Sequence, residues 1–323
     1  MRPRFKSLLL LAAFLLAAVT PLLNVPQSAA QPTTRLRVVT SIVVLADLIT
    51  QVGGDRVDVV TLVPPGADPH TYQPTPLDVQ RVLDSRVAIW NGLGFEEQAE
   101  QLVAAQAIPN LVVATLSDSI EPIAELPEGH EGETADEHAA HAGEAEEEGD
   151  EHAEGNPHLW LDPTLAMRYV ETIRDTLAQA DPANAATYQQ NASAYLAQLA
   201  ELDAWALQEV AQIPPDRRRL VTFHDAFPYM ARHFGLDVVG VVLRSPGREP
   251  SAQEIAALVT EMRTYGIPAV YAEPQFNARI LELAARDAGV QVRRLYSDSF
   301  DDQVRSYVEL MRYNVTSLVE GLR

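Results

Sequence analysis

Strand patterns alternate with helix patterns along both halves of the chain, and this alternation constrains the fold more than any other feature. Short runs rich in β-branched residues indicate strands, and capped segments with helical periodicity indicate helices. The predicted strands are 36–42, 56–63, 86–90 and 111–115 in the first half, and 220–223, 237–243, 269–272 and 290–296 in the second. Such alternation predicts parallel sheets covered by helices on both faces.

A long helical stretch separates the two halves. Apolar and small residues recur at helical spacing from Asp181-Pro182 to Ile213, and Pro214-Pro215 follows. A helix of this length spans about 46 Å, enough to run along two lobes. We therefore predict an α/β fold with an N-terminal lobe (33–180), a connecting helix (181–213) and a C-terminal lobe (214–323), with a closing helix over 301–322.

The first 30 residues have the pattern of a secretory signal peptide. A basic start precedes the apolar run 8–19, and the small residues Ser28–Ala30 occupy the cleavage positions. We therefore expect export to the periplasm or the extracellular space and a soluble protein after cleavage. The chain has no cysteine, which excludes disulfides and a lipid-bearing cysteine. A metal site in this chain would need nitrogen and oxygen ligands.

An acidic low-complexity segment lies at 117–156. It is rich in Glu, Gly, Ala and His, and this composition predicts a mobile loop. Its four histidines could bind additional zinc weakly, although a solvated segment with no specific role is the alternative: His130, His138, His141 and His152. The formal net charge of −21 argues against a nucleic-acid partner.

Three histidines and one aspartate share a position just beyond the carboxyl end of a predicted strand. His70 lies in VPPGADPHTYQPTP after the second strand, and His158 lies in NPHLWLDP after the fourth strand and the acidic segment. His224 directly follows LVTF, and Asp298 lies in LYSDSF after the last strand. In open parallel sheets this edge faces the ligand crevice. Three imidazoles and one carboxylate there would suit a four-coordinate divalent metal ion.

Several other residues are candidates for a role near this site. His233 lies near a helix end, where it would interact favourably with the helix dipole. Ligating histidines normally donate their second N–H to a carboxylate or carbonyl. The candidates for that role are Asp68, Asp162, Asp225 and Glu273, of which Asp162 and Asp225 could instead cap the helices that follow them.

Together, these segments resemble the metal-receptor (solute-binding) proteins of bacterial zinc and manganese ABC importers. The resemblance covers essentially the whole chain after the signal peptide. It implies two Rossmann-like lobes with parallel sheets, one long backbone helix, and a metal ion bound in the cleft between the lobes. Carried over residue by residue, the positions that match the family's metal ligands are His70, His158, His224 and Asp298.

The resemblance also bears on the ion and the partners. In that family a histidine at the third ligand position accompanies zinc, and a glutamate there accompanies manganese. Because this chain has His224, we expect zinc, with manganese as the alternative. The implied partners are the membrane and ATPase subunits of an ABC importer, and we expect the receptor to be a monomer.

Three other functions are alternatives to a receptor. A zinc-dependent hydrolase would need an open coordination position and a general base, and the sequence contains neither HExxH nor GxSxG. A dinucleotide-binding enzyme is disfavoured because Gly53-Gly54 and Gly92-x-Gly94 do not form GxGxxG. Cell adhesion through the extracellular matrix remains a side activity that sequence leaves open. We therefore predict a non-enzymatic receptor without catalytic or cofactor-binding residues.

Overall fold

The computed structural model describes residues 35–106, 108–123, 155–243, 247 and 250–323. The predicted signal peptide and the four histidines of the acidic segment lie outside the described residues. Within the described part of the chain, no helix is both long and apolar enough to span a membrane.

The first sheet has four parallel strands in the order β2-β1-β3-β4. Its strands are β1 Leu36–Thr40, β2 Val57–Thr61, β3 Val87–Trp90 and β4 Val112–Thr115. The helices that connect them are α1 Val43–Gly53, α2 Pro76–Leu83 and α3 Glu97–Gln106. Because β1 lies between β2 and β3, the chain direction across the sheet reverses there, and ligand crevices form at such a point.

Two helices follow the first sheet. Asp162 caps α4 (Pro163–Ala180) by accepting a hydrogen bond from Thr164 N, as the sequence predicted. The long helix α5 (Ala185–Val210) has 26 residues. It is shorter than the predicted 181–213 because residues 182–184 form a separate 3-10 turn and the chain turns again after Val210.

The second sheet repeats the topology of the first, with four parallel strands in the order β6-β5-β7-β8. Its strands are β5 Arg219–His224, β6 Asp237–Leu243, β7 Ala269–Ala272 and β8 Gln291–Arg294. The remaining helices are α6 Pro228–Phe234, α7 Ala252–Tyr265, α8 Arg279–Ala288 and α9 Tyr307–Leu322. The predicted fold class, two parallel-sheet α/β lobes with one long helix, is confirmed.

One buried face of α5 joins the two halves. Its buried side chains recur every three or four residues, as a helix with one apolar face requires: Tyr188, Ala192, Tyr195, Leu199, Leu202, Ala206 and Val210. This face packs against α1 and α4 of the first half and against α9 of the second. The main hydrophobic core therefore contains residues of both halves. The domain boundaries at 33–180, 181–213 and 214–323 stay a prediction.

Two predicted helix starts differ from the structure. The last helix begins at Tyr307 rather than at 301, because the Asp301 carboxylate accepts the backbone N–H groups of Gln303 and Val304 and holds a turn. Asp225 does not cap the helix after His224, because α6 begins three residues later at Pro228.

The start of α2 follows the predicted cap, with Pro76 in its first turn and a capping box between Thr75 and Asp78. The buried Asp78 Oδ2 accepts hydrogen bonds from Thr75 N (2.7 Å), Thr75 Oγ1 (2.7 Å) and Tyr72 Oη (2.8 Å). These bonds fix the end of the loop that carries His70.

Replacing Asp78 with alanine should lower the free energy of unfolding by about 2 kcal/mol. The reason is that four donors lose their acceptor, the three described above and Arg81 Nη1, which donates to Asp78 Oδ1 at 2.8 Å. Burial raises the pKa of Asp78, but the hydrogen bonds from Thr75, Tyr72 and Arg81 outweigh it and lower that pKa below its ordinary value. The carboxylate therefore stabilises the fold above about pH 4 and loses this effect as the pH falls further. Urea unfolding at pH 7 and at pH 3 measures both effects.

Asp84→Ala is the matched control. The Asp84 side chain is exposed and makes a surface ion pair with Arg37 at 3.5 Å, which contributes little to stability. Equal destabilisation by the two substitutions at pH 7 would contradict the role given to Asp78.

Candidate metal centre

The structure brings the four candidate side chains together at the carboxyl edges of the two sheets. His224 is the last residue of β5, and Asp298 lies four residues after the end of β8. His70 lies in the loop between β2 and α2, and His158 directly precedes the short turn that leads into α4. One ligand atom from each of the four lies within 4.8 Å of all the others.

Three imidazole nitrogens converge most closely. His158 Nε2 lies 3.3 Å from His70 Nε2 and 3.2 Å from His224 Nε2. The Asp298 carboxylate completes the group, with Oδ1 3.6 Å from His158 Nε2 and Oδ2 3.7 Å from His224 Nε2. His158, His224 and Asp298 are each 2% exposed, whereas His70 is only partly buried.

The orientation of His158 is set by Asn156, which the sequence analysis did not single out. Asn156 Oδ1 accepts the His158 backbone N–H at 3.1 Å and lies 3.0 Å from His158 Nδ1. Because Asn156 Nδ2 donates to the Asp225 carbonyl at 2.6 Å, the amide oxygen is the atom that faces the ring. His158 therefore carries its proton on Nδ1 and directs the Nε2 lone pair toward the centre.

The orientation of His224 is set by Glu273, one of the four predicted candidates for this role. Glu273 Oε1 accepts from the His224 backbone N–H at 3.2 Å and from His224 Nδ1 at 2.8 Å. The carboxylate can only accept, so Nδ1 carries a proton and Nε2 faces the centre. Glu273 directly follows β7, the strand that neighbours β5, so the topology places the two residues side by side.

Burial and charge give the four groups different proton affinities. Burial lowers the pKa of His70 to about 3, and the charge of His224 acts in the same direction. Burial likewise lowers the pKa of His158 well below its ordinary value. For His224, burial lowers the pKa, but Glu273 and Asp298 outweigh it and raise the value to about 9. Burial raises the pKa of Asp298 to about 7, although the charge of His224 opposes this.

These proton affinities mean that the centre attracts a cation. His158 Nε2 and His224 Nε2 are 3.2 Å apart. If both rings were neutral, the lone pairs of these nitrogens would repel each other unless a positive charge lay between them. Without a metal ion, the proton on His224 Nε2 supplies that charge and can be shared with His158. Asp298 Oδ1 is also buried without a hydrogen-bond partner, and such an acceptor is costly unless a cation compensates it.

Aromatic rings enclose the imidazoles. The Phe95 ring lies edge-on to His70 with centroids 4.8 Å apart, and the Phe276 ring lies 4.9 Å from that of His224. The Trp160 ring lies 5.3 Å from that of His158. This apolar surround keeps water away from the centre and strengthens electrostatic interactions within it.

Several hydrogen bonds around the centre cross from the first half of the chain to the second, and three of them are described here. Trp160 Nε1 donates to the Ser297 carbonyl at 3.0 Å, and Gly66 N donates to Ser299 Oγ at 2.8 Å. The bond from Asn156 to the Asp225 carbonyl is the third. These bonds hold the two edges that carry the candidate ligands against each other, and no sequence pattern predicts them.

The contacts described for the other three candidates differ from those of Glu273. Asp68 Oδ1 accepts the His70 backbone N–H at 3.0 Å, Asp162 caps α4, and Asp225 contributes the carbonyl described above. His233 lies in the last turn of α6, as predicted, but its Nε2 also lies 2.6 Å from Asp203 Oδ1 on α5.

Residues 38–321 match the profile of the family described as "ZnuA: Zinc-uptake complex component A periplasmic". The chain belongs to that family. The match confirms the resemblance to the metal receptors of ABC importers and extends over both sheets and the four-residue centre.

Individual members of this group differ in the metal that they are named for. The chain is 32% identical to the manganese-binding lipoprotein MntA of Halalkalibacterium halodurans, over 89% of this chain and 88% of that protein. It is 29% identical to the iron-binding protein YfeA of Yersinia pestis, over 89% and 86%. Among solved structures, the periplasmic zinc-binding protein TroA of Treponema pallidum superposes with a TM-score of 0.77 at 26% identity, over 90% of this chain and 99% of that one.

The proton affinities predict a distinct protonation pattern in metal-free protein. At pH 7, His224 should be an imidazolium ion, whereas His70 and His158 should be neutral. Nitrogen-15 NMR of the imidazole rings distinguishes these states. The His224 signals should titrate near pH 9 in the wild type and at lower pH in Glu273→Gln, which removes the carboxylate charge. A neutral His224 at pH 7 in the wild type would contradict this electrostatic account.

Proposed function

We propose that this protein is an extracytoplasmic receptor that captures a divalent transition metal ion, zinc in preference to manganese, and delivers it to an ABC importer. The observation that carries this proposal is the buried centre, where three imidazole nitrogens and a carboxylate lie within 4.8 Å of one another. Family membership supports the transport role. The proposed ligands are His70, His158, His224 and Asp298, and the proposed partners are the membrane and ATPase subunits of the importer.

The donor set of three nitrogens and one carboxylate supports zinc, and the spacing of the nitrogens is compatible with it. A zinc–nitrogen bond of about 2.05 Å and tetrahedral angles place neighbouring ligand atoms about 3.3 Å apart. The two closest nitrogen pairs are separated by 3.2 and 3.3 Å. Imidazole suits zinc, whereas manganese favours a larger share of oxygen ligands. The names of the relatives do not decide the ion, because they mention manganese, iron and zinc.

Hydrolysis is the rival function from a different class. A hydrolytic zinc centre needs a general base that is free to take a proton from the bound water. Glu273 is the carboxylate that adjoins His224, and it accepts from the His224 ring and from the Ser297 hydroxyl. Because Glu273 already accepts these two hydrogen bonds, it is not free to act as a general base, which favours metal binding over catalysis. Hydrolysis of ester or peptide substrates by the zinc-loaded protein would favour the hydrolase function instead.

Removing a proposed ligand should weaken zinc binding far more than removing a histidine outside the centre. We expect His224→Ala to lose at least about a hundredfold in zinc affinity, and His233→Ala to lose little, because His233 contacts Asp203 and Asp162 instead. Competitive titration with a zinc chelator and with manganese measures both variants. Equal losses, or tighter binding of manganese than of zinc by the wild type, would overturn the assignment.

The same titration should be repeated on a chain in which a short linker replaces residues 124–154. Asn156 N donates to the Ile123 carbonyl at 2.7 Å, so the two ends of the replaced segment are adjacent and a few residues can join them. One tight zinc site should remain. A large loss of affinity would show that the acidic segment supplies a primary ligand, whereas loss of weak sites alone would support an accessory role for its histidines.

Zinc affinity should rise with pH across the neutral range. Because the pKa of His224 is raised to about 9, zinc must displace one proton below that pH, and affinity should increase roughly tenfold per pH unit between 7 and 9. Below pH 7 the slope should steepen, since Asp298 also becomes protonated there. Calorimetry in buffers with different ionisation enthalpies counts the released protons. Binding without proton release at pH 7.5 would contradict this expectation.

A further inference from the structure

The two oxygens of Asp298 have different surroundings, although both border the centre. Oδ1 is buried without a hydrogen-bond partner and lies 3.6 Å from His158 Nε2. Oδ2 lies 3.7 Å from His224 Nε2 and accepts a hydrogen bond from Gln275 Nε2 at 3.2 Å. One oxygen of the carboxylate is therefore free to bind a cation, whereas a hydrogen bond already uses one lone pair of the other and competes with metal binding there.

The orientation of the Gln275 amide follows from its neighbours. Ser297 donates its hydroxyl hydrogen to Glu273 Oε2, so the Ser297 oxygen can only accept from Gln275 Nε2, which lies 2.7 Å away. An amide turned the other way would direct its oxygen at the carboxylates of Glu273 and Asp298. The nitrogen must therefore face this cluster, with one hydrogen for Ser297. The other is directed at Asp298 Oδ2 at 3.2 Å, which is closer than Glu273 Oε2 at 3.4 Å.

Local structure holds Gln275 in this place. The segment Glu273–Phe276 follows β7 and forms a turn in which Phe276 N donates to the Glu273 carbonyl at 3.2 Å. This turn places Glu273 against His224 and Gln275 against Asp298. The two residues thus position two different ligands from one short segment.

We propose that Gln275 restricts Asp298 to binding through one oxygen and thereby determines the choice of metal ion, an inference that rests on the proposed receptor function. With Oδ2 engaged, the centre offers four donor atoms, three nitrogens and Oδ1. If both carboxylate oxygens bound, it would offer five. Closed zinc sites are almost always four-coordinate, whereas manganese suits sites richer in oxygen. Gln275 therefore favours zinc, because its hydrogen bond to Asp298 Oδ2 makes that oxygen less available to manganese.

Gln275→Leu tests this assignment, because leucine has no hydrogen-bond donor and is of similar size. Zinc affinity should fall about tenfold, as expected when a residue that orients a ligand is lost. Manganese affinity should be unchanged or higher, because Oδ2 becomes available, so the zinc-to-manganese preference should narrow by about tenfold or more. A purely structural role would weaken both ions equally and leave the preference unchanged. Gln101→Leu, on the exposed face of α3, is the control and should alter neither affinity.

Cobalt(II) provides a second readout, because its visible absorption is intense in four-coordinate sites and weak at higher coordination. The wild-type full-length protein should show the intense spectrum, and Gln275→Leu should show a weaker one. A weak spectrum in the wild type would overturn the proposal even if the variant did not fold. If the wild type binds zinc tightly and the variant keeps both its spectrum and its preference, Gln275 has no such role, but the receptor function stands. If the wild type binds neither ion, the receptor function itself fails.

Discussion

The three imidazole nitrogens that meet beside Asp298 require a positive charge, and much of the surrounding structure serves that requirement. Asn156 fixes the proton of His158 on Nδ1, and Glu273 does the same for His224. With these protons fixed on Nδ1, the Nε2 atoms of both rings face the centre and lie 3.2 Å apart. The arrangement is stable with a proton or a metal ion between the rings and repulsive without either. Its affinity for cations is thus built in before any ion arrives.

The topology explains why these residues meet. In both sheets the first strand lies between the second and the third, so the crevice opens at equivalent places. His224 and Glu273 follow neighbouring strands of the second sheet, and the turn that bears His158 reaches across from the first half. Because α5 packs against helices of both halves, the two edges share one core. The hydrogen bonds that cross near the centre each contribute only about 1 kcal/mol, so the two edges are joined by several weak interactions and not by one strong one.

The sequence predicted the fold and the positions of the four converging residues, because both follow from periodicity and from the common direction of parallel strands. It also identified Glu273 among its neighbours and predicted the caps at Thr75 and Asp162. It did not identify Asn156 or Gln275, because an uncharged amide side chain in a loop has no distinctive sequence pattern. The late start of α9 was missed because the turn depends on the Asp301 side chain, which competes with helix formation.

The choice of metal cannot reside in the fold, since relatives that match most of this chain are named for manganese, iron and zinc. It must depend on the number and type of donor atoms that the centre presents. As a proposed ligand, His224 would contribute a nitrogen at a position where an oxygen ligand would favour manganese, and Gln275 donates a hydrogen bond to one oxygen of Asp298. Both residues reduce the number of oxygen donors in the centre, which favours zinc over manganese. Selectivity in such a centre is therefore a property of two or three side chains and of the hydrogen bonds that restrain them.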